Sequence, residues 1–194
     1  MRIVGGSLGG RVLKAPAGAA TRPTSEKVRQ AMFNILPDVE GMHVLDLFAG
    51  SGALGIEALS RGAAYATFID TAKPALAIVR ANLRELALDD RATVLAGDAI
   101  ALAARHEPPS PYQLVFIDPP YRSDLATRAV SALQHLAPDA IVVIEHDRRR
   151  SPRPRDRAAR IYDTGAPPET LGSLLRTDER RYGDTLVSFY RVHS

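Results

Sequence analysis

The chain has 194 residues, 45% hydrophobic and 24% charged, with no cysteine, which suits one soluble domain and excludes disulfides, thiolate metal sites and cysteine nucleophiles. No apolar run approaches the roughly 18 residues of a membrane span, and the start Met1-Arg2-Ile3-Val4-Gly5-Gly6 lacks a signal peptide's apolar stretch, so a cytoplasmic location is expected. A net charge of +3 and a pI near 9.4 permit an anionic partner; the only lysines are Lys14, Lys27 and Lys73, and the arginine excess suits phosphate forks, although GC-rich codons produce it equally well.

Residues 2–16 read as two short strands around Gly9-Gly10. After Arg22-Pro23, Thr24 or Ser25 offers a helix N-cap, and Val28, Ala31, Met32 and Ile35 recur at helical spacing, giving an amphipathic helix that ends near Pro37. Strand-like runs at 44–48, 65–70, 92–96, 113–118 and 140–145 then alternate with helical stretches at 53–61, 74–87, 98–105 and 123–136. Such alternation predicts an α/β fold, a doubly wound parallel sheet with helices on both faces. Arg180-Arg181-Tyr182-Gly183-Asp184-Thr185 reads as the turn of a closing antiparallel hairpin. Before it, the proline-broken basic stretch 148–157 is expected to be an exposed loop, either a solvated connector or a phosphate contact. One domain, 1–194, is expected, with an N-terminal hairpin and helix over 1–40 and the sheet-based core over 41–194.

The first run leads into Asp46-Leu47-Phe48-Ala49-Gly50-Ser51-Gly52-Ala53-Leu54-Gly55, a glycine-rich loop opening a helix. Gly50, Gly52 and Gly55 match a dinucleotide fingerprint, which by itself supports nucleoside binding without choosing the nucleoside. Charge makes the choice. Asp46, Asp70, Asp98 and Asp118 stand at or beside four successive strand ends, around one crevice. Such a ring receives a pyrophosphate poorly and favours S-adenosylmethionine, which carries a sulfonium and an ammonium group and no phosphate.

Asp118-Pro119-Pro120-Tyr121 follows the apolar run 114–117. The Asp118 carboxylate and the Pro119 carbonyl can each accept a hydrogen bond from an exocyclic amine, and Tyr121 can stack on the ring that carries it. The prolines fix φ and bias Asp118 toward an extended conformation. The tetrapeptide alone is equally readable as a strand-ending turn. The five histidines, His43, His106, His135, His146 and His193, show no ligand spacing, and no metal is expected.

Asp46-Leu-Phe-Ala-Gly-Ser-Gly52, Asp70, Gly97-Asp98-Ala99 and Asp118-Pro-Pro-Tyr121 together resemble the motif series of class I S-adenosylmethionine-dependent methyltransferases acting on exocyclic amines. Arg2-Ile-Val-Gly-Gly6, the block from Arg22 to Leu36, Gly52 to Gly62 and Arg181-Tyr-Gly-Asp-Thr185 resemble, more narrowly, the bacterial RsmD family of 16S rRNA guanine-N2 methyltransferases. The likeness covers nearly the whole chain except about 148–174. It implies a Rossmann-like fold with a mostly parallel seven-stranded sheet ending in an antiparallel hairpin. It implies S-adenosylmethionine with Gly50 and Gly52 beside its methionine part, Asp46 supporting that loop, Asp70 on the ribose hydroxyls, Asp98 on the adenine amine and the Ala99 N–H on the adenine ring. Asp118, Pro119, Pro120 and Tyr121 would hold the target guanine. The implied partner is 16S rRNA in the small ribosomal subunit or a late assembly particle, met by a monomer. Arg2, Arg11, Lys14, Arg22, Lys27 and Arg29 are candidates for RNA contact. Adenine-N6 or cytosine-N4 methylation, an NAD-dependent oxidoreductase and a non-catalytic RNA-binding module are the alternatives; the missing cysteine argues against methyl transfer to a pyrimidine ring carbon, which needs a thiolate.

Overall fold

In the computed structural model, residues 1–15, 23–119, 123–147 and 168–193 are described, with the side chains at 23–25, 123–124 and 147 left out. Five runs rich in β-branched and aliphatic residues form parallel strands: β1 (His43–Leu47), β2 (Tyr65–Asp70), β3 (Ala92–Ala96), β4 (Tyr112–Ile117) and β5 (Leu136–Asp147). Helices α2 (Ala53–Ser60), α3 (Lys73–Glu85), α4 (Ala99–Arg105) and α5 (Ser123–Ala132) lie between successive strands, as parallel pairing requires. Before them stands α1 (Pro23–Ile35). The chain closes with β6 (Thr170–Leu171), β7 (Leu174–Tyr182) and β8 (Thr185–Val192), and the strand order is β3-β2-β1-β4-β5-β8-β7-β6. The order reverses between β1 and β4, which places the crevice of a doubly wound sheet beside the ends of those two strands.

Strand alternation divides the core. Val44, Phe68, Leu114, Phe116, Ile141 and Val143 pack with α1, α2 and α3, whereas Leu45, Leu47, Ile69, Val115, Val142 and Ile144 pack with α4 and α5. Asp46, between Leu45 and Leu47, therefore faces α2.

Several boundaries differ from expectation. The sheet has eight strands rather than seven, because the two-residue β6 pairs with β7 at the edge. The expected N-terminal hairpin is a single antiparallel bridge, Arg2 to Val12, extended by three backbone hydrogen bonds of 2.8–2.9 Å. Helix α1 begins at Pro23, whose fixed φ suits a first turn, so Thr24 and Ser25 fall inside the helix rather than before it. Helix α5 stops at Ala132 instead of 136: His135 takes a positive φ of 57°, and Leu136 already pairs with Tyr112. The basic stretch 148–157 lies outside the described residues.

What secures residues 1–15 is side chains of the core. Glu57, fully buried in α2, accepts from Val4 N–H and Gly5 N–H at 2.8 Å each, from Arg29 Nε at 3.2 Å and from Arg61 Nε at 2.8 Å. Ser60 Oγ takes the Leu8 N–H and donates to the Gly5 carbonyl. Asn82 Oδ1 accepts from Lys14 N–H, while its Nδ2 donates to the carbonyls of Lys14 and Ser51. Three buried polar residues are thus satisfied largely by the backbone of the N-terminal segment.

Glu57→Ala leaves Arg29 buried without its carboxylate and is expected to cost roughly 3–5 kcal/mol, read as a lowered urea midpoint. An unchanged midpoint would remove Glu57 from this role.

Candidate functional site

At the carboxyl ends of β1 and β4 lies a cleft of about 200 Å³. Phe48, Ala49, Gly50, Ser51, Ala53 and Leu54 form one wall, and Met1, Arg29 and Met32 form another. Three carboxylates, Asp46, Asp118 and Glu145, complete the lining.

The glycine loop takes its shape from φ values of 55° at Gly50 and 77° at Gly52, which favour glycine. A Cβ at Gly50 would meet only the Phe48 carbonyl, at 3.9 Å, so that side of the loop is open to a ligand. Gly55 is packed instead: a Cβ there would overlap the Phe68 ring and lie 3.2 Å from Asp46 Oδ2. That close approach lets Gly55 N–H donate to Asp46 Oδ2 at 2.9 Å, fixing the carboxyl beneath the loop. Asp70, ending β2, accepts from Gly50 N–H through Oδ2 and from Ala72 N–H through Oδ1, both at 2.8 Å, and so holds the loop from the other side. Asp98 caps α4 by accepting the Ala101 N–H at 2.8 Å, and Ala99 is buried behind it. The Gly97 N–H donates to the Asp70 carbonyl at 3.0 Å, joining the β3 end to the β2 end.

Of the residues expected to form the site, Asp46, Gly50 and Asp118 line the cleft itself. Gly52 and Asp70 support its loop, and Asp98 with Ala99 stand one strand further out. Pro119 is half-buried beside Asp118, and Pro120 and Tyr121 lie outside the described residues.

Electrostatics set the two central carboxyls apart. Asp46 is 2% exposed, and its pKa is raised from 3.8 to about 8, chiefly by burial; Gly55 N–H opposes the shift, while Asp118 and Asp70 add to it. Burial likewise pushes Asp118 up to about 6, although its surface is exposed toward the cleft. That open face lets water temper the shift, so its upward direction rather than its size bears on the chemistry.

The expected RNA-facing cations divide. Arg2, Arg11, Lys14 and Lys27 are exposed. Arg2 Nη1 donates to the Gly10 carbonyl, Arg11 Nη2 to the Glu85 carbonyl, and Lys14 pairs with Glu85 at 2.9 Å. Arg22 lies outside the described residues. Arg29 does not face RNA from the surface as expected: it is 3% exposed, paired with Glu57, and donates to the Arg2 carbonyl and the Met1 sulfur. Its place in the i, i+3, i+4 stripe on either side, Val28 and Met32, gave no sign of this, because a helix stripe is blind to a buried acid on a neighbouring helix.

Glu145 was missed. It follows the last pairing of β5 with β4, two residues before β5 ends, and alternation from Ile141 and Val143 turns it to the Asp46 face. An acid closing an apolar run was the available signal.

Among the described residues no group of three or more His, Cys, Asp or Glu side chains could hold a metal, and no helix is long and apolar enough to cross a membrane.

Comparison with known proteins follows the same outline. The family described as Conserved hypothetical protein 95 matches residues 1–191. YlbH of Bacillus subtilis (strain 168), provisionally described as an rRNA methyltransferase, is 39% identical over 196 residues, covering 98% of each chain. The ribosomal RNA small subunit methyltransferase D of Escherichia coli (strain K12) is 38% identical over 151 residues, covering 76% of this chain and 75% of its own. The solved structure of Escherichia coli yhhF, provisionally described as a methyltransferase, superposes with a TM-score of 0.80 at 30% identity over 100% of this chain and 98% of that one.

The folded pKa of Asp46 lies above its unfolded value, so the native state holds a proton that the unfolded chain releases. Stability is therefore expected to fall as pH rises from about 4 to about 8. Asp46→Asn, neutral at every pH, is expected to raise the melting temperature at pH 8 by roughly 2–4 °C per kcal/mol relieved and to flatten that dependence. Parallel pH profiles for the two proteins would refute the assignment.

Proposed function

The chain belongs to the RsmD family, as its 38% identity to the Escherichia coli ribosomal RNA small subunit methyltransferase D shows, and from that premise we propose that it is an S-adenosylmethionine-dependent rRNA methyltransferase acting on the N2 amine of a guanine in the small ribosomal subunit. One observation carries the reading: an amine acceptor, Asp118, lines the same cleft as the open glycine loop, so an acceptor for the nucleophile adjoins the seat of a methyl donor.

The residues suit this cofactor. Three carboxylates and one buried arginine line the cleft. Such an acidic wall favours the sulfonium and ammonium charges over a dinucleotide pyrophosphate. Gly50 admits close approach, Asp70 keeps spare lone pairs for ribose hydroxyls, and Asp98 with the Ala99 N–H serves the adenine. S-adenosylmethionine supplies, when bound, a methyl group on a sulfonium, an already activated donor.

The guanine N2 amine is conjugated with its ring and nucleophilic only when its lone pair is freed. Asp118 and the Pro119 carbonyl draw on the two amine hydrogens as the nitrogen pyramidalises, an interaction that strengthens toward the transition state. As N–C forms and C–S breaks, nitrogen sheds a proton. A carboxylate whose pKa is raised toward 6 is a better acceptor for it than an ordinary one. Tyr121, outside the described residues, would stack on the flipped base and replace roughly 1–3 kcal/mol of lost stacking. The exposed Arg2, Arg11, Lys14 and Lys27 add phosphate contacts from the N-terminal segment.

Mass mapping of small-subunit rRNA from a strain lacking the gene is expected to show one guanine without its methyl group, restored by the purified protein and S-adenosylmethionine. Transfer only to adenine or cytosine would overturn the reading. In single-turnover assays Asp118→Ala is expected to slow transfer roughly 10²–10⁴-fold, with affinity for S-adenosylhomocysteine within about threefold. The wild-type rate should rise with pH through a limb above the usual carboxylate range, as Asp118 becomes a carboxylate; a rate flat from pH 5 to 8 would exclude it as the acceptor.

A further inference from the structure

We propose that Glu145 makes the cleft select guanine, by accepting the N1–H of the target base while Asp118 and the Pro119 carbonyl hold the adjoining N2 amine. The inference rests on the guanine-N2 reading and supplies what the 118–121 tetrapeptide leaves open, namely which amine-bearing base enters.

Placement comes first. β4 and β5 are parallel neighbours whose last paired positions are Ile117 and Ile144, so Asp118, directly after β4, and Glu145, the next residue of β5, come side by side. Neighbouring strands lie roughly 4.8 Å apart, a span that a base edge can bridge. Both side chains line the cleft, and Ile141 and Val143 mark the face that Glu145 shares with Asp46. The backbone at Glu145 is held on its far side too, since Glu145 pairs with Val187 of β8, itself buried. The carboxylate thus sits on an internal strand and not on a loop, where positions are less exact.

Base chemistry then decides what it can do. Adenine N6 and cytosine N4 each adjoin an unprotonated ring nitrogen, N1 or N3, which is an acceptor. Guanine N2 adjoins N1–H, a donor. A carboxylate next to the amine seat therefore completes the hydrogen bonding of guanine and opposes the lone pair of adenine or cytosine. Selection arises from both halves, the bond made to one base and the repulsion set against the others. Asp118 and the Pro119 carbonyl cannot discriminate in this way, because all three bases present an amine to them. Interactions that Glu145 makes elsewhere are compatible with the role, as an ionised carboxylate accepts about four hydrogen bonds.

The test compares two bases that carry the same amine. Small subunits are reconstituted with guanine or with 2-aminopurine at the methylated position; 2-aminopurine keeps the N2 amine but presents N1 as an acceptor. Wild-type protein is expected to prefer guanine in kcat/KM by roughly 10- to 100-fold, the range of a hydrogen bond to a charged group. Glu145→Gln, whose amide can turn its NH2 toward N1, is expected to bring that ratio near one. Glu145→Ala, which removes the acceptor without supplying a donor, should lose guanine turnover by a similar factor and keep 2-aminopurine turnover. Affinity for S-adenosylhomocysteine, measured by calorimetry, should stay within about twofold in each variant, reporting an intact cofactor site. The proposal is overturned if wild type uses both bases equally, or if either variant lowers both turnovers by one factor. Failure of wild type to methylate guanine at all would instead bring down the guanine-N2 reading, and this inference with it.

Discussion

The structure turns on one buried carboxylate. Glu57 lies in a helix whose only other polar side chain is Ser60 and is fully enclosed, and its two oxygens take two backbone N–H groups and two arginine side chains. A carboxylate so placed would be costly if any partner were absent, so the bonds hold or fail together. Arg61, on one side of it, also stacks over Phe33 of α1 at 4.8 Å, and Phe33 in turn meets Phe116 of β4 at 5.6 Å. Arg29, on the other side, lines the cleft. Residues 1–5, α1, α2 and β4 are thereby set relative to one another through a single side chain. Met1 and Met32 line the cleft beside Arg29.

The strand edge stands in electrostatic opposition to this. Glu57 is satisfied by cations and N–H donors, whereas Asp46 and Asp118 face one another with only Gly55 N–H lowering the Asp46 pKa. Burial raises both pKa values, and the neighbouring Asp118 and Asp70 add to the shift at Asp46. A cation placed at this edge favours the charged carboxylates. Gly55 shapes this edge, because only a residue without a Cβ admits both the Phe68 ring and the Asp46 carboxyl against the same turn of α2.

Much of this was legible in the sequence, and the limits are instructive. The five parallel strands and their crossover helices follow from hydrophobic runs whose period changes from two to 3.6, and the aspartates at their ends were visible as punctuation. Boundaries went astray where tertiary pairing overrode local pattern. Leu136 reads as a continuation of the helix before it, yet pairs with Tyr112 across a register break. Arg29 reads as an exposed cation on a basic segment, yet its partner Glu57 is 28 residues away and invisible to a helix stripe. Asn82 reads as one polar residue in an amphipathic helix, and its three bonds to Lys14 and Ser51 belong to loops that periodicity does not describe. Glu145 was the avoidable omission, since the strand-end rule that singled out aspartates applies equally to glutamate.

The strand order separates two tasks that one cleft must perform. Residues at the ends of β1, β2 and β3 shape and support the glycine loop, and those at the ends of β4 and β5 face whatever enters beside it. The reversal between β1 and β4 is the seam. On the cofactor side, Gly50 N–H to Asp70, Gly55 N–H to Asp46 and Gly97 N–H to the Asp70 carbonyl cross-link the loops through backbone groups. Changing a side chain there disturbs the backbone of its neighbours. On the substrate side Asp118 and Glu145 project from strands fixed by their own ladders, and substitution alters the cleft wall without moving the loop. A fold so divided can exchange one amine-bearing substrate for another by changes at the β4 and β5 ends while the glycine loop stays intact.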